Sequence, residues 1–110
     1  MRTWLVAGLA GMAITLWAFQ GLLPRCTSVD PDTGKTGDTV TAKGENLGKS
    51  NIAEVYLTDG QKDTPVTVSD QSDTELKFKV PQLKAGRYHL LILTANRASL
   101  IEQPVVFTMQ

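Results

Sequence analysis

The sequence is poor in the residues from which catalytic and metal centres are built. It has one cysteine, Cys26, and one histidine, His89, in 110 residues. A lone histidine makes neither a catalytic triad nor a zinc site, and a lone cysteine cannot form an internal disulfide. The spacing Asp30-x-Asp32-x-Gly34 places the glycine one position early for a calcium-binding EF-hand loop, and we interpret these aspartates as solvated turn residues. We predict a protein that is not an enzyme and has no catalytic residue, cofactor or metal.

The chain also lacks an excess of charge of either sign. Lysine plus arginine and aspartate plus glutamate both number 11, so the formal net charge is zero. Nucleic-acid-binding domains usually carry a basic patch. We therefore predict no nucleic-acid partner.

Long apolar runs are absent except at the N terminus, where residues 4–23 contain only two clearly polar side chains. Twenty helical residues match a hydrocarbon core of about 30 Å, whereas the apolar part of a secretory signal is usually about 7–15 residues. We predict that residues 1–24 form a hydrophobic helix. It is an uncleaved transmembrane anchor that meets the membrane through residues 4–23, a cleaved signal peptide or a lipoprotein signal. In each case residues 25–110 form a domain outside the cytoplasm.

Cys26 follows this apolar run directly. In an oxidising compartment it is a candidate for lipidation or for an intermolecular disulfide, and the alternative is an unmodified thiol. Arg25 stands where a lipoprotein signal has a small residue, which disfavours lipidation.

After Pro24 the sequence shows no helical period, only short alternating runs separated by turn residues, a pattern typical of all-β sandwiches and barrels. Residues 39–43 alternate so that Val40 and Ala42 face inward. Glycines at 44 and 48 supply backbone angles that residues with a Cβ resist, and so end this strand in a tight loop. We predict that residues 37–48 contain the inner strand of a small sandwich.

About seven short strands are predicted in total, the others at 27–29, 52–58, 65–69, 74–81, 87–94 and 98–109. Tyr88 begins a strand directly after a turn glycine, as in the tyrosine corner of sandwich folds, and its buried hydroxyl needs a partner. Asn96 is predicted to take the left-handed conformation in the last hairpin.

Several of these elements form a recognisable pattern: Pro31, then Gly37-x-x-Val40-Thr41-x-x-Gly44-x-Asn46-Leu47-Gly48, then Ser72-Asp73-Thr74-Glu75-Leu76, Val80-Pro81 and Gly86-x-Tyr88-x-Leu90-x-Ile92. The pattern covers roughly residues 27 to 109 and resembles the IPT/TIG domain of plexins, some transcription factors and bacterial surface proteins. The resemblance implies an immunoglobulin-like β-sandwich, but it indicates no particular ligand.

One cluster of side chains is a candidate binding surface. If Leu90 and Ile92 face the core, Leu91 and Leu93 lie on the opposite face of the sheet, together with Tyr56. An apolar cluster rimmed by polar groups marks a partner surface. The alternatives are that neighbouring side chains cover this strand, or that its alternation slips at a bulge.

These observations predict a non-enzymatic binding or spacer module of a bacterium, located in the periplasm or at the cell surface. It acts through protein–protein contacts, with a protein partner or by self-association. The alternative is a carbohydrate-associated module of a polysaccharide-handling system. Against that alternative, both tryptophans lie within residues 4–23, so no loop offers an exposed tryptophan.

Overall fold

The computed structural model describes residues 23–110. Within them all regular structure is β, in nine strands: Arg25–Asp30 (β1), Thr33–Gly34 (β2), Thr39–Glu45 (β3), Ile52–Thr58 (β4), Asp63–Pro65 (β5), Thr67–Gln71 (β6), Glu75–Lys79 (β7), Gly86–Thr94 (β8) and Leu100–Met109 (β9). The predicted hydrophobic helix falls on residues 1–24, of which 1–22 lie outside the described part of the chain. The described part has no helix long and apolar enough to cross a bilayer.

The strands form two sheets that pack face to face. One has the order β1-β3-β7-β6, and the other has the order β2-β9-β8-β4-β5. All neighbouring strands are antiparallel except β2, which runs parallel to β9. Seven longer strands in two antiparallel sheets are the arrangement of an immunoglobulin-like sandwich. The predicted all-β fold class is confirmed; the two strands beyond the predicted seven are the short β2 and β5.

Strand β3 lies inside its sheet, between β1 and β7, as the alternation of residues 39–43 predicts. Val40 and Ala42 are fully buried and face the opposing sheet. Phe78 of β7 and Phe107 of β9 are the largest fully buried side chains and fill the space between the sheets. Each large apolar side chain removed from water in this way contributes about 1.5–3 kcal/mol.

Two of the glycines around β3 have a different role from the one predicted. Gly44 and Gly48 do not adopt left-handed angles; Gly37, with a φ of 91°, and Asn46, with a φ of 58°, do. A Cβ built on Gly44 would lie 1.9 Å from the carbonyl oxygen of Arg25. Glycine is required at position 44 because β1 passes too close for any side chain.

The strand predicted at residues 65–69 is two strands in different sheets. Pro65 ends β5, which pairs with β4, whereas Thr67 begins β6, which pairs with β7. Between them the N–H of Val66 donates to the carbonyl of Val55 at 3.0 Å. Alternation shows which residues face inward but not in which sheet they do so, and the prediction therefore merged the two strands.

The terminal hairpin of β8 and β9 confirms one expectation and corrects another. The Tyr88 hydroxyl donates to the carbonyl of Lys84 at 2.7 Å, as in a tyrosine corner. The left-handed residue of the turn is Arg97, with a φ of 59°, and not Asn96. The side-chain oxygen of Asn96 instead accepts from the Thr94 hydroxyl at 2.7 Å and from the Ala98 N–H at 3.0 Å. Asparagine stabilises this turn through its side chain rather than through its own backbone angles.

Candidate functional site

The three residues predicted as a partner surface lie together on the outer face of the five-stranded sheet. Leu91 of β8 stands opposite Tyr56 of β4, and Leu93 stands opposite Leu100 of β9. We call Tyr56, Leu91, Leu93 and Leu100 the apolar stripe; it crosses three adjacent strands on the face turned away from the core. The sequence analysis did not identify Leu100. Alternation along β9 could have done so, because the inward Val105 and Phe107 place the even-numbered residues outward.

The members of the stripe differ in exposure. Leu91 is only 9% exposed, yet it does not belong to the core cluster between the sheets. It lies on the central strand of the sheet, between Tyr56 on one side and Glu102 on the other. Neighbouring side chains therefore cover Leu91, which is one of the two alternatives to an open binding surface that the sequence analysis considered. Leu100 is 53% exposed, and Tyr56 and Leu93 are half-buried, so these three offer the accessible apolar surface.

A polar network adjoins the stripe. The Tyr56 hydroxyl donates to one carboxylate oxygen of Glu54, and Arg97 lies 3.3 Å from the other. The hydrogen bond from Tyr56, followed by that from Arg97, lowers the pKa of Glu54 from its ordinary value of 4.5. The same bond to Glu54 raises the pKa of Tyr56 from 10.0. Because Glu54 and Arg97 are largely exposed, the network adds little stability; its hydrogen bond directs the Tyr56 hydroxyl toward Glu54.

His89 shares this face. The sequence indicates an outward surface side chain, and His89 does point outward, but it is half-buried. Its Nδ1 lies 3.1 Å from the carbonyl oxygen of Val105 and 4.0 Å from a carboxylate oxygen of Glu102. The carbonyl can only accept, so Nδ1 carries the proton in this arrangement.

Cys26 is part of β1 and lies in the core. It is 1% exposed, and burial raises the pKa of its thiol from 9.0 to about 11. A neutral, covered thiol is a poor nucleophile. Lipidation and an intermolecular disulfide stay predictions, and either requires β1 to leave the sheet.

Gln103, which the sequence analysis did not single out, fastens the start of the domain. It is a β9 side chain with 2% exposure. Its Oε1 accepts from the N–H of Cys26 at 2.6 Å, and its Nε2 donates to the carbonyl of Pro24 at 3.3 Å and to that of Ile101 at 3.5 Å. Asn46 adds a bond from Nδ2 to the carbonyl of Leu23 at 3.0 Å. An open groove of about 620 Å³ lies beside this point, lined by Leu23–Arg25, Glu45, Asn46 and residues 101–104.

Within residues 23–110 no group of three or more histidine, cysteine, aspartate and glutamate side chains could hold a metal ion. What the face presents is apolar surface, the Tyr56 phenol, the carboxylates of Glu54 and Glu102, the Arg97 guanidinium and the His89 imidazole.

Residues 24–109 match the family model of the IPT/TIG domain. Among curated proteins, cyclomaltodextrin glucanotransferases are similar to this chain. That of Bacillus sp. (strain 1-1) is 31% identical over 72 residues, 66% of this chain, and that of Thermoanaerobacterium thermosulfurigenes is 29% identical over 76 residues, 69% of this chain. The match spans 10% of each enzyme's length.

Solved structures share the fold at low sequence identity. A Bacteroides thetaiotaomicron protein of unknown function superposes with a TM-score of 0.68 at 21% identity, over 81% of this chain and 22% of its own. The Bacteroides ovatus SGBP-B of a mixed-linkage glucan utilization locus, solved with a heptasaccharide, superposes with a TM-score of 0.55 at 22% identity, over 79% of this chain and 24% of its own.

Proposed function

The chain belongs to the IPT/TIG domain family, and from that premise we propose that it is a non-catalytic, extracytoplasmic module that associates with a second copy of itself through the apolar stripe. Residues 1–24 anchor it in a membrane or export it, which places the domain in the periplasm or at the cell surface. Its action is rigid presentation of a sheet face, without bond chemistry.

The observation that carries the proposal is an apolar surface built outside the core. Tyr56, Leu93 and Leu100 stand on three neighbouring strands, so their positions are fixed by the backbone ladder rather than by a mobile loop. Glu54 and Arg97 rim this surface with both signs of charge. An apolar centre with a polar rim is the usual anatomy of a protein–protein contact.

The balance of charge favours a second copy as the occupant. The chain has a formal net charge of zero, so two copies do not repel each other at long range. A common membrane anchor would also hold copies in one plane and raise their local concentration. In a two-fold symmetric pair each stripe meets the other, and a two-fold axis along the strands keeps both anchors on the same side.

A two-residue substitution tests the proposal. In Leu93→Lys with Leu100→Lys, both new charges fall on accessible positions, and the covered Leu91 is left in place. The matched control is Thr39→Glu with Thr41→Glu on the outer face of the other sheet, where the neighbours in register include Lys77 and Lys79. The molar mass of the full chain in detergent micelles is measured by light scattering. We expect dimers of the parent and of the control, and monomers of the stripe variant.

The melting temperature separates loss of contact from loss of fold. Both variants should melt within a few degrees of the parent, because all four positions lie on outer sheet faces and not in the core, and surface substitutions usually change stability by less than about 0.5 kcal/mol. A parent chain that stays monomeric at every concentration would refute self-association. So would a control that dissociates as completely as the stripe variant.

A carbohydrate-associated module is the second candidate. It is supported by the similarity to SGBP-B, solved with a heptasaccharide, and by Tyr56, whose half-buried ring lies beside a carboxylate and a guanidinium. Ligand sites commonly combine a flat apolar surface with a few polar groups that fix orientation. Retention of the parent chain on insoluble mixed-linkage glucan, with loss in Tyr56→Ala, would favour this function over self-association.

A further inference from the structure

We infer that the end of the sandwich where the chain enters the domain, marked by Leu23, Arg25 and Ile101, lies against the lipid headgroups of the membrane. The inference rests on the proposed anchoring through residues 4–23. It adds the orientation of the domain relative to the membrane, and it assigns a second contact surface, which faces lipid headgroups.

No linker separates the apolar run at residues 4–23 from the domain. Leu23 is the last residue of that run, and its carbonyl already accepts from the side chain of Asn46 at 3.0 Å. The next carbonyl, of Pro24, accepts from Gln103 at 3.3 Å, and the N–H of Cys26 donates to Gln103 at 2.6 Å. A flexible tether needs unbonded residues, and here the chain is bound to the domain from the point where the apolar run ends.

Exposed apolar surface also marks this end of the sandwich. Within residues 23–110 the large hydrophobic residues that are well exposed are Leu23, at 67%, and Leu100, at 53%. Leu23 lies at this end, where it lines the groove together with Ile101 and Pro104, whereas Leu100 belongs to the apolar stripe that is proposed to meet a second copy. Apolar side chains beside a groove suit the boundary between headgroups and water, where they are partly withdrawn from water without entering the hydrocarbon.

The charged side chains that line the groove indicate which lipid headgroups it can contact. The groove carries one base, Arg25, and two acids, Glu45 and Glu102. Anionic headgroups would gain nothing there, because a surface attracts them through clusters of lysine and arginine. The occupant is therefore a zwitterionic headgroup layer, and the anchor rather than electrostatic attraction holds the domain on it.

Fluorescence quenching of the full chain tests the orientation. The chain is reconstituted in phosphatidylcholine vesicles that contain a headgroup-spin-labelled phosphatidylcholine, and one fluorophore is attached at Glu45→Cys or, as the matched control, at Lys62→Cys. Both positions are exposed, whereas Cys26 is buried and should not react. Lys62 follows β4, whose seven residues place it about 23 Å from the lipid-facing end. We expect the label at 45 to be quenched several-fold more strongly than the label at 62.

A second variant tests whether the absence of a linker holds the domain in this orientation. A flexible insertion of about ten glycine and serine residues between positions 22 and 23 should lower quenching at 45 to the level at 62, because it restores the missing linker. Equal quenching at both positions of the unmodified chain, with the protein floating together with the vesicles, would overturn the inference and leave the anchoring intact. A chain that does not float with the vesicles would overturn the anchoring and the inference with it.

Discussion

Replacing Gln103 by methionine tests how the start of the domain is held. Methionine keeps nearly the same length and volume but can neither accept from the N–H of Cys26 nor donate to the carbonyl of Pro24. The 2.6 Å bond to Cys26 is buried, so its loss leaves a backbone donor without water or a partner. A buried, unsatisfied donor costs about 1–3 kcal/mol. The bonds from Nε2, at 3.3 and 3.5 Å, are longer and add less.

The expected result is a decrease of about 1–3 kcal/mol in the free energy of unfolding. For a domain of this size that corresponds to a fall of roughly 4–24 °C in melting temperature, at about 4–8 °C per kcal/mol. Circular dichroism of the full chain in detergent, recorded against urea and against temperature, measures both. Gln61→Met makes the same chemical change in an exposed turn and should alter stability by less than about 0.5 kcal/mol. If the two variants are equally stable, Gln103 does not fasten the first strand and the reasoning fails.

Three further predictions concern the core and the polar network. Gly44→Ala should destabilise the domain by more than about 2 kcal/mol, because its Cβ would lie 1.9 Å from a carbonyl oxygen, and by more than Gly37→Ala, whose Cβ meets nothing within 4 Å and is strained only by the φ of 91°; melts with the reverse order would contradict this. The pKa of Glu54 is lowered in the fold, so its stabilisation is present above 4.5 and is lost as the pH falls through the lower folded value; the stability difference from Glu54→Gln should shrink in acid melts, and a difference that grows there would be contrary evidence. Cys26 should resist a thiol reagent at pH 8 until urea unfolds the domain, since its pKa is about 11 and it is covered; rapid labelling of the folded chain would show that β1 opens.

Alternation predicted most of the fold because it reports directly on which side chains are removed from water. Val40 and Ala42 are buried as their alternation indicates, and the strand predicted at 52–58 has those bounds in the structure, as β4 (Ile52–Thr58). The tyrosine corner at Tyr88 could be predicted because it depends on neighbours within a few residues. These features are local, and so the local sequence specifies them.

The features that were missed depend on contacts between distant segments. Gly44 is constrained by the backbone of Arg25. Arg25 belongs to β1, which pairs with β3 although β2 and two turns separate them in the sequence. Gln103 bonds to Cys26 across 77 residues of sequence. The residues around positions 44 and 103 contain no pattern that predicts these partners. The partners are identified only from the three-dimensional structure.

The candidate site was predicted in part for the same reason. Tyr56, Leu91 and Leu93 share a face because alternation is local, but the pairing of Leu93 with Leu100 and the covering of Leu91 follow from the register between strands. Register brings Leu93 beside Glu54 as well. The network of Glu54 with Tyr56 and Arg97 also depends on a hairpin turn that no pattern within β4 indicates.

Photo-crosslinking between copies in the native membrane shows whether the apolar stripe joins two copies of this domain. A photoreactive amino acid is placed at the position of Leu100 in the full chain, and, as a control, at the position of Thr39 on the opposite outer face. The account predicts a product of twice the chain mass after irradiation at position 100, with little or none at position 39. The same yield at both positions, or no such product at position 100, would contradict the proposal that the apolar stripe joins two copies of this domain.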